Sequence, residues 1–194
     1  VVREMNRLGM MIDVSHISDN AFYDVLHESK APVIASHSCC RALCEHPRNL
    51  TDDMLLALKE NGGVIQICIV SEYLKTPVPN PELESKLTEL RARCGNPDTL
   101  SPEMRKKFRA EFREIKTTYT RLATVRDVVD HIDHVVQVSG IDHVGIGTDF
   151  DGGGKVEGCS DASEMKNITV ELLRRGYSGS DIAKIWGGNL MRVY

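Results

Sequence analysis

Met10-Met11-Ile12-Asp13-Val14-Ser15-His16, followed by Pro32-Val33-Ile34-Ala35-Ser36-His37-Ser38, sets the architecture. Each is a short apolar run rich in β-branched residues, and each ends in a histidine. Between them Ser18 has the chemistry of an N-cap, and Ala21, Phe22, Val25 and Leu26 recur at helical spacing, predicting a helix from Asp19 to Ser29. Strand, helix, strand is the unit from which parallel sheets are built, with a helix covering each crossover.

The same grammar continues along the chain. Thr51 caps a helix through Met54, Leu55 and Leu58, and Asn61-Gly62-Gly63 ends it in a left-handed turn. A third strand follows from Val64 to Val70, and a fourth from His143 to Thr148. Val125, Val128, Val129, Ile132, Val135 and Val136 mark a helix before that last strand; Ala162 to Arg175 and Gly179 to Val193 supply two more after it. From about Lys75 to Arg121 the pattern breaks. Pro77, Pro79 and Pro81 open a charged, helix-prone stretch (Glu82 to Arg93, then Pro102 to Lys116) that reads as a helical insertion, a solvated cap or an oligomer contact.

The composition limits the function classes. The chain of 194 residues is 41% hydrophobic and 27% charged with a net charge of −4, figures of a soluble domain with a real core. No apolar run reaches the roughly 18 residues of a membrane span. No basic block interleaved with aromatics supports nucleic-acid binding. Among the six cysteines there is no C-x-x-C pair; Cys40 and Cys44, at i and i+4, are expected on one helix face. A soluble protein is the expectation, with cytoplasmic favoured over secreted and the compartment left open.

In parallel α/β folds the chemistry sits where strands end. That rule selects Asp13-Val14-Ser15-His16, Ser36-His37-Ser38 and Thr148-Asp149-Phe150-Asp151-Gly152-Gly153-Gly154. Two imidazoles and a carboxylate at separate strand ends would converge on one mouth. Zinc takes those ligands, and Asp13 or the serine hydroxyls could orient them. Arg48, in the connection after His37, could grip a carboxylate bidentately. The other histidines carry less weight. His131 and His134 are expected on the solvated face of a helix, and His143 precedes its strand and should lie at the opposite end of the sheet. Gly145 and Gly147 lack the third glycine of a dinucleotide fingerprint, and no G-K-[ST] of a phosphate loop follows Gly152-Gly153-Gly154. Those last three glycines are expected to let backbone pass close to a ligand or to form a flexible turn.

Ile12-Asp13-Val14-Ser15-His16, Ala35-Ser36-His37-Ser38, His46-Pro47-Arg48-Asn49-Leu50 and Gly147-Thr148-Asp149-Phe150-Asp151-Gly152, in this order, resemble the renal or membrane dipeptidase family of zinc peptidases, amidohydrolase-like barrels. Gly187-Gly188-Asn189-Leu190-Met191-Arg192-Val193 resembles their closing segment. The resemblance implies an α/β fold, the C-terminal half of a (β/α)8 TIM barrel, forming one catalytic segment over 1–194 with its helical insertion at about 75–121. It implies two Zn2+ ions bridged by a carboxylate and a hydroxide that attacks the scissile carbonyl. His16 and His37 would bind one zinc, Asp149 would sit by the other and carry the proton, and Arg48 would hold the substrate's terminal carboxylate. The family's H-x-D pair, bridging glutamate and a further substrate-contacting histidine belong to the N-terminal half, and nothing before His16 supplies them. The expected partners are a small dipeptide and that missing half, with self-association left open. A related aminoacylase or lactonase, or a non-catalytic binding protein on a degenerate barrel, are the alternatives.

Overall fold

The computed structural model describes residues 1–119 and 121–194 and divides into two compact units, one of Val1–Thr76 with Leu122–Tyr194, the other of Pro77–Arg121. In the first unit, α1 (Val2–Leu8) and α2 (Asp19–Glu28) lead to β1 (Ile34–Ser38). Then come α3 (Asp52–Glu60), β2 (Val64–Cys68) and the short α4 (Ser71–Leu74). In the second unit, α5 (Pro81–Cys94) and α6 (Pro102–Tyr119) flank a 3-10 turn at Pro97–Thr99. The first unit resumes with α7 (Val125–Ser139), β3 (Val144–Gly147), α8 (Lys166–Arg174), α9 (Gly179–Ala183) and α10 (Asn189–Val193).

The sheet has the order β1-β2-β3, all parallel. The central strand, β2, is buried at every position, which is why it places apolar residues on both faces, with Gln66 the polar exception. Around it α7 buries Val128, Val129, Ile132 and Val135, and α3 buries Met54, Leu55 and Leu58. The caps are those the sequence calls for: Ser18 Oγ accepts from Ala21 N and Thr51 Oγ1 from Met54 N. Gly62, at φ +79°, supplies the left-handed turn before β2.

Four expectations are corrected. The first strand shrinks to one parallel bridge, Asp13 to Ile34, because Asp13 Oδ1 draws in Ser15 N at 2.9 Å and turns the chain there. Cys40 and Cys44 are buried, but in a turn and not on a helix. His131 is 1% exposed, not solvated: its Nδ1 accepts from Cys40 N and its Nε2 donates to Leu74 O, each at 2.9 Å. The last helix is broken. Gly187 leaves helical geometry, and α10 starts at buried Asn189.

The second unit is a helix pair. Asn80 Oδ1 caps α5 and its Nδ2 donates to Tyr119 O; Phe108 stacks on Phe112 with ring centroids 6.1 Å apart; Arg93 pairs with Glu111. Of the predicted insertion, Thr120 lies outside the described residues. Among the described residues, no helix is long and apolar enough to cross a membrane.

Candidate active site

Of the predicted site residues, His16 and His37 meet and Arg48 bonds His37 O, whereas Asp149 reaches His16 only through the effect of its charge. β1 carries an irregularity: Ala35 faces Ile65, but Ser38 faces Ile67, so one extra residue is accommodated at Ser36 and His37. Such a bulge re-aims side chains beside it. Here it accompanies a contact in which His37 Nε2 lies 2.7 Å from His16 Nε2. Its second consequence is steric, since Ser36 O projects so close to β3 that a Cβ at Gly147 would collide with it.

A relay backs the pair. Ser36 Oγ lies 2.5 Å from Asp13 Oδ2 and 2.6 Å from His37 Nδ1. The ionised carboxylate can only accept, so the hydroxyl donates to Asp13 and takes the Nδ1 proton of His37 as acceptor. That leaves the His37 Nε2 lone pair facing His16. Burial works against the Asp13 charge, but hydrogen bonds from the hydroxyl and N–H of Ser36 and the N–H of Ser15 outweigh it and lower the carboxyl's pKa. Desolvation, with the charge of Arg48, lowers the pKa of His16 and favours the neutral ring, the form that ligates metal. His16 sits at φ 72°. A non-glycine residue in that region is strained, and such strain concentrates at functional sites.

Among the described residues, Asp149 is the second strained non-glycine residue, at φ 56°, two positions beyond β3. The glycine run wraps around it. Gly154 N donates to Asp149 O at 2.7 Å, and a Cβ at Gly152 would strike the Asp149 carboxylate. These glycines therefore let the backbone approach the aspartate itself. Burial pushes the Cys68 thiol up to about 12, and its Sγ lies 3.9 Å from Asp149 Oδ2 as a weak donor. Cys68 ends β2, so the strand-end rule could have selected it.

Two arginines share the loop after β1 and differ in kind. Arg41 is saturated: it forks onto Asp19 at 2.6 and 2.8 Å and donates to Asn49 O. Arg48 Nη2 donates to His37 O at 3.1 Å, its Nε is buried without a partner, and among the described residues no carboxylate pairs with it. A guanidinium beside the histidine pair that holds a backbone carbonyl and, among the described residues, no carboxylate is equipped to take an anion.

A family model described as membrane dipeptidase (peptidase family M19) matches residues 1–194. The chain belongs to the membrane dipeptidase family. It is 38% identical over 194 residues to dipeptidase tcpJ of Claviceps purpurea, covering 100% of this chain and 36% of that protein. To dipeptidase 3 of Rattus norvegicus it is 34% identical over 195 residues, covering 100% and 31%. Among solved structures, the probable dipeptidase PvdM from Pseudomonas aeruginosa superposes with a TM-score of 0.81 at 42% identity, over 99% of this chain and 51% of that one. A Rhodobacter sphaeroides metallo peptidase, liganded with a phosphinate mimic of the dipeptide L-Ala-D-Ala, gives 0.73 at 26%, over 100% and 45%. The chain thus spans about a third of the curated relatives and about half of the solved ones. Its mixed α/β fold is that of this dipeptidase family.

The donor types suit zinc, two imidazoles with one oriented from behind by a hydroxyl and a carboxylate, but at 2.7 Å the two Nε2 atoms are in hydrogen-bond contact and would have to part to share an ion. Among the described residues, no group of three or more His, Cys, Asp or Glu side chains could hold a metal ion.

Proposed function

We propose that the chain is the C-terminal half of a (β/α)8 barrel, one catalytic segment over 1–194 with a helical insertion, and that the protein built on it is a zinc-dependent dipeptidase. Its substrate is a small dipeptide with a free C-terminal carboxylate, D-residues at that end included. The meeting of His16 and His37, Nε2 to Nε2, carries the reading. The all-parallel sheet, the half-length match to the solved relatives and the dipeptide mimic in one of them support it.

In this reading His16 and His37 hold one zinc and Asp149 lies beside a second. The remaining ligands, an H-x-D pair and a glutamate, come from the N-terminal half of the barrel. Bound there, the two ions supply the Lewis acidity that polarises the scissile carbonyl and acidifies the attacking water. Asp149 accepts the water's proton at its carboxylate and returns it to the departing amine nitrogen, so no net proton is lost. Ser36 and Asp13 hold the His37 ring, and Arg48 binds the terminal carboxylate in its guanidinium fork.

Chelation tests this directly on the protein that contains this chain together with its barrel complement. Dipeptide hydrolysis should vanish on dialysis against a chelator and return with zinc, and His37→Ala should fall to well under one zinc retained at this site by elemental analysis. Full activity after chelation, or undiminished metal content in His37→Ala, overturns the reading.

A further inference from the structure

The guanidinium of Arg48 rests on an aromatic floor. Its Cζ lies 5.6 Å from the centroid of the Tyr73 ring, and that ring in turn packs on His46 with centroids 4.5 Å apart at 38°. The floor is fixed by its own contacts. Arg48 N donates to His46 Nδ1 at 3.2 Å, which makes that nitrogen an acceptor and orients the imidazole. Buried Asn49 donates through Nδ2 to both Tyr73 O and Cys44 O, at 2.8 Å each, and so ties α4 to the loop that carries Arg48.

Physical chemistry assigns such a stack a task. A long arginine stem without an ion-pair partner samples many rotamers, and a bidentate grip on a carboxylate needs one of them. The face of an aromatic ring attracts the cation and leaves the N–H groups in the guanidinium plane for other acceptors. Arg41 in the same loop is held by a carboxylate, Asp19, which occupies that fork. At Arg48 the holding falls to a ring and to one backbone acceptor, His37 O, and among the described residues no carboxylate occupies the fork.

We infer that Tyr73, seated on His46, is a positioning residue that holds the Arg48 guanidinium ready for the C-terminal carboxylate of the substrate. The inference rests on the proposed dipeptidase reading and assigns Tyr73 no contact with the reacting atoms.

The experiment measures KM and kcat for Ala-Ala dipeptide hydrolysis by the whole protein, in Arg48→Met, Tyr73→Leu, Tyr73→Phe, His46→Ala and the double variant Arg48→Met/Tyr73→Leu. Tyr73→Leu should raise KM about fivefold with kcat within about twofold, the signature of lost binding common to ground and transition states. Tyr73→Phe, which keeps the ring, should return KM to within about twofold of the parent, a loss of about 0.4 kcal/mol at most. In the Arg48→Met background the leucine substitution should add nothing, because the pair acts as one unit. An unchanged KM in Tyr73→Leu overturns the inference, as does an equal rise in KM with and without Arg48. Should Tyr73→Leu fail to fold, His46→Ala decides, with about a twofold rise in KM expected and an unchanged KM fatal. If Arg48→Met itself leaves KM unaltered, the carboxylate-binding role of Arg48 in the parent reading falls; if only the Tyr73 and His46 variants are silent, that role stands and the floor does not.

Discussion

At the amino-terminal ends of the strands, polar side chains stitch backbone to backbone. Asn61 Oδ1 accepts from Val33 N, His143 Nδ1 bonds Gly63 O, and Asn189 Nδ2 donates to both Ile141 O and Val144 O, all within 2.7 to 2.8 Å. Arg192 reaches Gly62 O and Asp142 O from α10. At the carboxyl-terminal ends the same sheet holds two histidine nitrogens against each other, two non-glycine residues at positive φ, and an arginine Nε without a partner. One rim is saturated and relaxed, the other strained and incompletely bonded. Parallel α/β folds use the first for stability and the second for chemistry, and the contrast says which substitutions should cost activity and which should cost stability.

The sharpest break in the comparison is Asp149→Asn. Removing the proton carrier should lower kcat about 10²- to 10⁴-fold. The melting temperature should hardly move, because asparagine tolerates the left-handed conformation as aspartate does. A large loss of stability would erase the distinction between the rims. Asn189→Ala is the mirror experiment. Two carbonyls lose their donor in a buried setting, which should cost about 3 kcal/mol in urea unfolding, while kcat/KM of the folded protein stays within about twofold. Retained stability there would mean that the stitching is dispensable. The smallest effect on stability is expected for His16→Gly. Relief of a left-handed residue gains about 1–2 kcal/mol, and the added freedom of glycine in the unfolded chain returns about 0.5–1 kcal/mol. Thermal unfolding should therefore show a net gain of about 0.5–1 kcal/mol, in a variant that no longer retains zinc at this site. A net loss would show that the His16 ring supports the fold.

Much of the site was legible because the strand-end rule converts a one-dimensional pattern into a place. It selected His16, His37 and Asp149 as candidates, and the distance from His37 selected Arg48. Their catalytic roles remain the proposal above. What escaped the pattern depended on neighbours remote in the chain. His131 falls at a helical position that solvent would ordinarily cover, and only the approach of Cys40 and Leu74 turns it into a buried strut. Tyr73 carries no motif, and its value lies in the ring it places under Arg48, with His46 packed against that ring. The glycines at 152 and 154 signalled close approach, but the object approached is the Asp149 carboxylate and carbonyl.

Local chemistry along the chain determined the parallel strands, the Ser18 and Thr51 caps, the left-handed glycine before β2 and the strand ends at which reactive side chains collect, since each depends on residues a turn or a strand apart. Tertiary structure decided which histidines meet, because a single extra residue in β1 and a serine shared between Asp13 and His37 fix a ring orientation that no periodicity encodes. It also decided that Arg41 is a brace and Arg48 a free hand. The two have the same side chain in the same loop, and only one of them has a carboxylate from a distant helix within reach.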